Sequence, residues 1–125
     1  MGDILHQVFE RLPFRFGGEA YRKRMVEAQQ RGEKPVEVNC FGTDKYEIVG
    51  KRLVVKVFNP KLGIWQEHIA VEHIDICPIC GRLMLVRAIK GTTYLPLCSR
   101  ECLERFKQLV QEVKNEMEGE HHEKG

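Results

Sequence analysis

Four of the five cysteines fall within "CPICGRLMLVRAIKGTTYLPLCSREC", residues 77–102, at the spacing C-x2-C-x17-C-x3-C. Thiols so placed could form a metal cage, a redox dithiol with two bystanders, or two disulfides. Four-coordinate zinc needs four soft ligands at about 2.3 Å in a tetrahedron, and two cysteines separated by two residues can reach one ion from a single tight turn. In that turn Pro78 presets φ, and Gly81 can take positive φ, which leaves nearby backbone N–H groups free to point at sulfur. The second pair is built differently. Ser99 directly follows Cys98 and can cap a helix whose first turn holds Glu101 and Cys102, where the helix dipole favours a thiolate. A cage of four thiolates around Zn²⁺ carries a formal charge of −2. Arg82 and Arg100 are the adjacent cations that could offset it.

Each rival has a sequence feature against it. Cys77 and Cys80 could form a thioredoxin-type redox pair, but Gly81 begins the required helix poorly and Cys98 and Cys102 are left without a role. A zinc deaminase needs H-x-E ahead of P-C-x-x-C. Here His68 is followed two residues later by Ala70, and His73 by Asp75, so the glutamate is missing. Disulfides suit an oxidising compartment and an even cysteine count, whereas this chain has 5. The fifth, Cys40, sits on the apolar face of a strand pattern, where a free thiol behaves as a small hydrophobe.

The surrounding elements must bring these cysteines together. "DILHQVFERL" spaces its apolar residues as a helix that ends at Pro13, and "EAYRKRMVEAQQRG" reads as a second, largely exposed basic helix stopped by Gly32. From Lys34 the composition turns to β-branched and aromatic residues. "VEVNCF" alternates Val36, Val38 and Cys40, and "YEIVGKRLVVKVF" and "IWQEHIAVEHI" flank the loop "NPKLG", which predicts about three antiparallel strands. Trp65 is the sheet-packing aromatic of the last strand. "LMLVRAI" and "TTYLPL" flank "KG" and read as a further hairpin that returns the second cysteine pair over the first. After it, Leu103, Phe106, Val110, Val113 and Met117 repeat at spacings of 3 and 4 along a long helix. The second half of that stripe needs the sheet, a partner, or a second copy of the chain to cover it, so Val110, Val113 and Met117 offer a homodimer surface.

Knuckle, hairpin, then a helix carrying the last ligand is the order of a treble-clef zinc module. "CPICG…YLPLCSRECLERF" resembles the TRASH and YHS-like modules, relatives of MYM-type fingers, over about residues 74–110. The C-x3-C at a helix start with Phe106 four residues on is the most specific part, while Leu97 stands where many members carry an aromatic. The resemblance implies one zinc per chain held by Cys77, Cys80, Cys98 and Cys102, and it ties such modules to heavy-metal trafficking and sensing. The expected fold class is α+β. Its organisation is an N-terminal α+β region (1–73), a treble-clef module with the C-terminal helix (74–118), and a disordered tail (119–125).

No paired nucleophile and base, phosphate-cradling glycine loop or carboxylate pair is visible, so a non-enzymatic binding protein is expected. Residues 1–61 carry 12 Lys/Arg against 8 Asp/Glu, whereas residues 100–125 carry 5 against 7. Arg22, Lys23, Arg24 and Arg31 on the second helix, with Lys51, Arg52 and Lys56 on the sheet, are the candidate contacts to a polyanion. The partner is then a nucleic acid or an acidic protein. Metal sensing or trafficking by the same four cysteines is one alternative, and thiol-disulfide exchange by Cys77 and Cys80 is the other. No apolar run approaches the roughly 20 residues of a membrane span. The start "MGDILHQVFERL" lacks the pattern of a secretory leader, and His6 replaces the hydroxyl of a myristoylation site. A cytoplasmic location is expected.

Overall fold

Amphipathic spacing, a glycine stop and a run of β-branched residues produce three helices and five strands in a computed structural model that describes residues 3–49 and 53–124. Helices α1 (Asp3–Glu10) and α2 (Glu19–Arg31) come first. Gly32 ends α2 in the left-handed conformation (φ 62°), and its N–H and that of Glu33 reach back to the carbonyls of Gln29 and Ala28. Strands β1 (Val36–Cys40), β2 (Tyr46–Val49), β3 (Val54–Asn59), β4 (Ile64–Ile76) and β5 (Leu83–Ile89) follow, and α3 (Arg100–Lys124) closes the chain. The α+β class is as expected. No helix among the described residues is long and apolar enough to cross a membrane.

The strands form one sheet in the order β1-β5-β4-β3-β2. β4 is the hinge of this arrangement: Ile64–Ile69 pair with β3 and Ala70–Ile76 pair with β5, both antiparallel. β1 joins the far side of β5 in parallel, with Val36 opposite Met84 and Cys40 opposite Ala88. The position taken as a boundary, residues 73–74, therefore lies inside a strand. The hairpin expected between "LMLVRAI" and "TTYLPL" does not form, because both edges of β5 are occupied by β1 and β4. Residues 92–97 run to α3 as irregular chain. The helix also continues through residues 119–124, the segment expected to lack order.

Pleat alternation gives the sheet two apolar faces. Val36, Val38 and Cys40 of β1 meet Met84 and Val86 of β5 on one face, joined by Cys77, Cys102, Tyr94 and Leu97. On the other face α2 lays Ala28, Tyr21 and Met25 over Ile76 and Leu83. Val55 and Ala70 carry that same face to a distal cluster with Phe41 and Tyr46.

The stripe on α3 finds its cover within the chain. Val113 is fully buried, as is Val8 of α1; Phe9 stacks on Phe106 at 6.5 Å between ring centroids, and Arg11 pairs with Glu116 at 2.6 Å. Val113 is thus not available to a second copy, which removes the centre of the expected dimer surface.

Candidate metal centre

The turn between β4 and β5 is the knuckle. Cys77 N–H donates to the Arg82 carbonyl and Gly81 N–H to the Cys77 carbonyl, both at 2.9 Å, which closes the loop tightly around Pro78–Cys80. Gly81 takes φ +79°, as its place in the turn requires. The second cysteine pair is set by the start of α3, where the Ser99 hydroxyl accepts from the Cys102 N–H at 3.4 Å and the Ser99 carbonyl from the Leu103 N–H at 3.1 Å.

These two turns bring Cys77, Cys80, Cys98 and Cys102 together with all four sulfurs within 4.8 Å of one another. Cys80 Sγ lies 3.3 Å from Cys98 Sγ, and Cys98 Sγ 3.6 Å from Cys102 Sγ. A tetrahedron with 2.3 Å metal–sulfur bonds places its sulfurs about 3.8 Å apart, so the donor set fits a four-thiolate ion with small adjustments. Cys77 and Cys102 are buried, Cys98 is half-buried, and Cys80 is exposed. No described histidine or carboxylate joins the group. Cys40 stays apart, half-buried beside Met84 and Val86, where burial pushes its thiol up.

Protonation in the cluster follows from crowding. Burial opposes ionisation of Cys77, but the backbone N–H groups of Cys80, Cys98 and Ile79 outweigh it and hold that thiol below its usual range. Cys98 and Cys102 are pushed upward, first by burial and, for Cys98, next by its contact with Cys80. The favourable helix-start position expected for Cys102 is overridden by desolvation. A divalent ion held by the four sulfurs would displace the protons that burial favours on Cys98 and Cys102.

Residues that the sequence did not connect with the cysteines support the knuckle. Phe14 N–H donates to the Pro78 carbonyl at 2.9 Å, and its ring covers Gly81 so closely that a Cβ there would lie 2.7 Å from it. Arg24 donates from Nε to the Gly81 carbonyl at 2.7 Å and is gripped on its other side by Glu33. The hydrogen bond to Glu33 is the main reason this guanidinium is held charged. Arg24 is thus a cation beside the knuckle that sequence proximity did not point to.

Among the described residues, the polyanion candidates on α2 and Lys56 of β3 stand on opposite faces of the sheet. Arg24 is held by Gly81 and Glu33, Lys23 pairs with Glu19 at 3.4 Å, and Arg31 with Glu27 at 3.0 Å. Arg22 is exposed on α2. Lys56 stands between Glu47 and Glu67 in the strand register, on the sheet face opposite the one α2 covers. Lys51 and Arg52 lie outside the described residues. His68 and His73 are both absent from the sulfur cluster, and His73 instead meets Tyr94.

No family model matches this chain, and no curated protein or solved structure matches it. The likeness to TRASH and YHS-like modules accordingly rests on the cysteine spacing and the capped helix start.

Proposed function

We propose that the four cysteines hold one structural Zn²⁺ and that the protein acts without catalysis, as an adaptor built on a TRASH-like, treble-clef-related zinc module. The observation that carries this reading is the position of the sulfur cluster. It ties the β4–β5 turn to the start of α3, and two of its members pack in the apolar cluster of Met84 and Val86. An ion there staples three elements to one another, which is the work of a structural site. Four thiolates favour zinc over harder divalent ions. The adaptor role is supported by Trp65 and Ile69, 51% and 63% exposed on one face of the β3–β4 hairpin, an apolar surface suited to a protein partner in the cytoplasm. The pairing of Lys23, Arg24 and Arg31 on α2, and the separation of Lys56 from them on the sheet face shared with Trp65 and Ile69, favour such a partner over a nucleic acid.

Metal counting on the purified chain by native mass spectrometry tests the reading. One zinc per chain is expected, lost in Cys98→Ser; full retention of metal in that variant, or a stoichiometry other than one, would overturn it. Anisotropy titrations of RNA and duplex DNA with wild type and an Arg22→Glu, Lys23→Glu variant, which spares Arg24, test the nucleic-acid alternative. Salt-sensitive binding lost in the variant would restore it.

The exposure of Cys80 favours a second reading, metal handling, because an incoming ligand can reach that sulfur first. Exchange of the bound ion against a thiol competitor within seconds would support handling, and exchange over hours a structural role. Efficient reduction of insulin disulfides by the zinc-loaded protein, abolished by Cys77→Ser, would instead favour thiol-disulfide exchange.

A further inference from the structure

Next to the knuckle lies a cleft of about 590 Å³, bounded by α1, the loop into α2, the end of β4 with Pro78, and residues 94–96. Its size is that of a small-molecule site. Phe9, Phe14, Phe16, Tyr21 and Tyr94 give it an aromatic lining. A polar chain crosses it: Tyr21 Oη donates to Asp75 Oδ1 at 2.7 Å, His73 Nε2 lies 3.5 Å from Asp75 Oδ2, and His73 Nδ1 lies 3.2 Å from Tyr94 Oη.

The two oxygens of Asp75 are not equivalent. Oδ1 accepts both the Tyr21 hydroxyl and, at 2.8 Å, the Ile76 N–H. For Oδ2 the partner is His73 at 3.5 Å, beyond the range of a good hydrogen bond. The Asp75 side chain is 14% exposed and lines the cleft, so a ligand there can reach it. A carboxylate on the wall of a cleft lined by aromatic side chains is complementary to a cation that carries N–H groups. Of the other charged groups lining the cleft, Glu10 is matched by His6 at 3.0 Å, and Arg15 is exposed and lies along the backbone of Gly18.

We propose that this cleft binds a small organic ammonium ion, its N–H groups on Asp75 Oδ2 and its apolar body against Phe9, Phe14 and Leu95. The site does not depend on which metal fills the cage, although Pro78 belongs to the knuckle and the protein must carry its ion. Tyr21 and Tyr94, fixed by Asp75 and His73, set the distance between the charged end and the opening.

The test is titration of the metal-loaded full chain with benzylammonium, with benzyl alcohol as its neutral isostere, and with benzoate, followed by amide shifts of Tyr21, Asp75 and Tyr94 in nitrogen-15 correlation spectra. Saturable shifts with benzylammonium are expected, with benzyl alcohol at least about tenfold weaker, as loss of a charge-assisted contact implies. Asp75→Asn, which keeps an acceptor for Tyr21 and Ile76, should weaken benzylammonium about tenfold at unchanged zinc content. Phe16, 83% exposed and outside the core, provides a variant that leaves the fold intact: Phe16→Ala should weaken the cation about threefold. Equal binding of the alcohol, tighter binding of benzoate, no saturable shift at several millimolar, or affinity unchanged in Phe16→Ala would each overturn the proposal.

Discussion

Gly81 shows how much one position can decide. Its φ of +79° disfavours any side chain, and the Phe14 ring occupies the space a Cβ would need. Gly81→Ala should therefore cost about 2–4 kcal/mol, from left-handed strain and overpacking together. Denaturant unfolding of the zinc-loaded protein measures it, and a loss below about 0.5 kcal/mol would contradict the packing. In a Phe14→Ala background part of the cost should disappear, because only the backbone strain then remains. Tyr21 gives a second prediction at this scale. Burial, and then its hydrogen bond to Asp75, raise its phenol above the usual value. Stability from a raised group is complete below the unfolded value and falls as pH rises through the folded one. Wild type should thus lose stability above about pH 10, and Tyr21→Phe should flatten that alkaline slope; an identical slope in both would remove the claim. Gly81 and Ser99 were legible in the sequence because each acts on its own turn. Phe14, Arg24 and Tyr21 were not, since each acts across more than 50 residues.

At the level of elements, local signals carried far and the choice of neighbours did not. The glycine at the end of α2, the loop before β4 and the apolar stripe of α3 are all periodic or turn-specific patterns, and each element formed close to its expected place. The cover for the stripe was another matter. It is α1, joined to α3 through Arg11 and Glu116 some 105 residues apart, and nothing in either helix names the other. Val8 of α1 and Val113 of α3 are both fully buried, and Phe9 stacks on Phe106 across the same pair of helices. Val113→Ala should destabilise the monomer by about 2 kcal/mol through lost transfer energy and the residual cavity. Sedimentation of wild type and variant, together with their unfolding curves, separates the two uses of this face: a stability loss at unchanged mass supports the α1 contact, and a shift from dimer to monomer would return the stripe to a second copy.

At the scale of the whole molecule, the parallel pairing of β1 with β5 is what sequence reading could not supply. Both strands were visible as β-rich segments, but parallel partners need no hairpin, and the register of Val36 with Met84 leaves no local trace. That pairing makes the metal a concern of the entire fold. β5 leaves the knuckle, lies between β1 and β4, and places Met84 and Val86 against Cys77 and Cys102. Structural zinc contributes on the order of 10 kcal/mol to small domains, comparable with the total stability of a chain this size. Chelation should therefore unfold more than residues 74–118. Hydrogen exchange of the metal-free protein should show lost protection in β1 (Val36–Cys40) and α1 as well as in the knuckle and α3. Metal binding should weaken as pH falls, because Cys98 and Cys102, whose thiols are held protonated, must release their protons to bind. If β1 and β3 keep their protection while residues 77–118 exchange freely, the chain consists of two independent modules, and the sheet that joins them contributes little to holding the metal site.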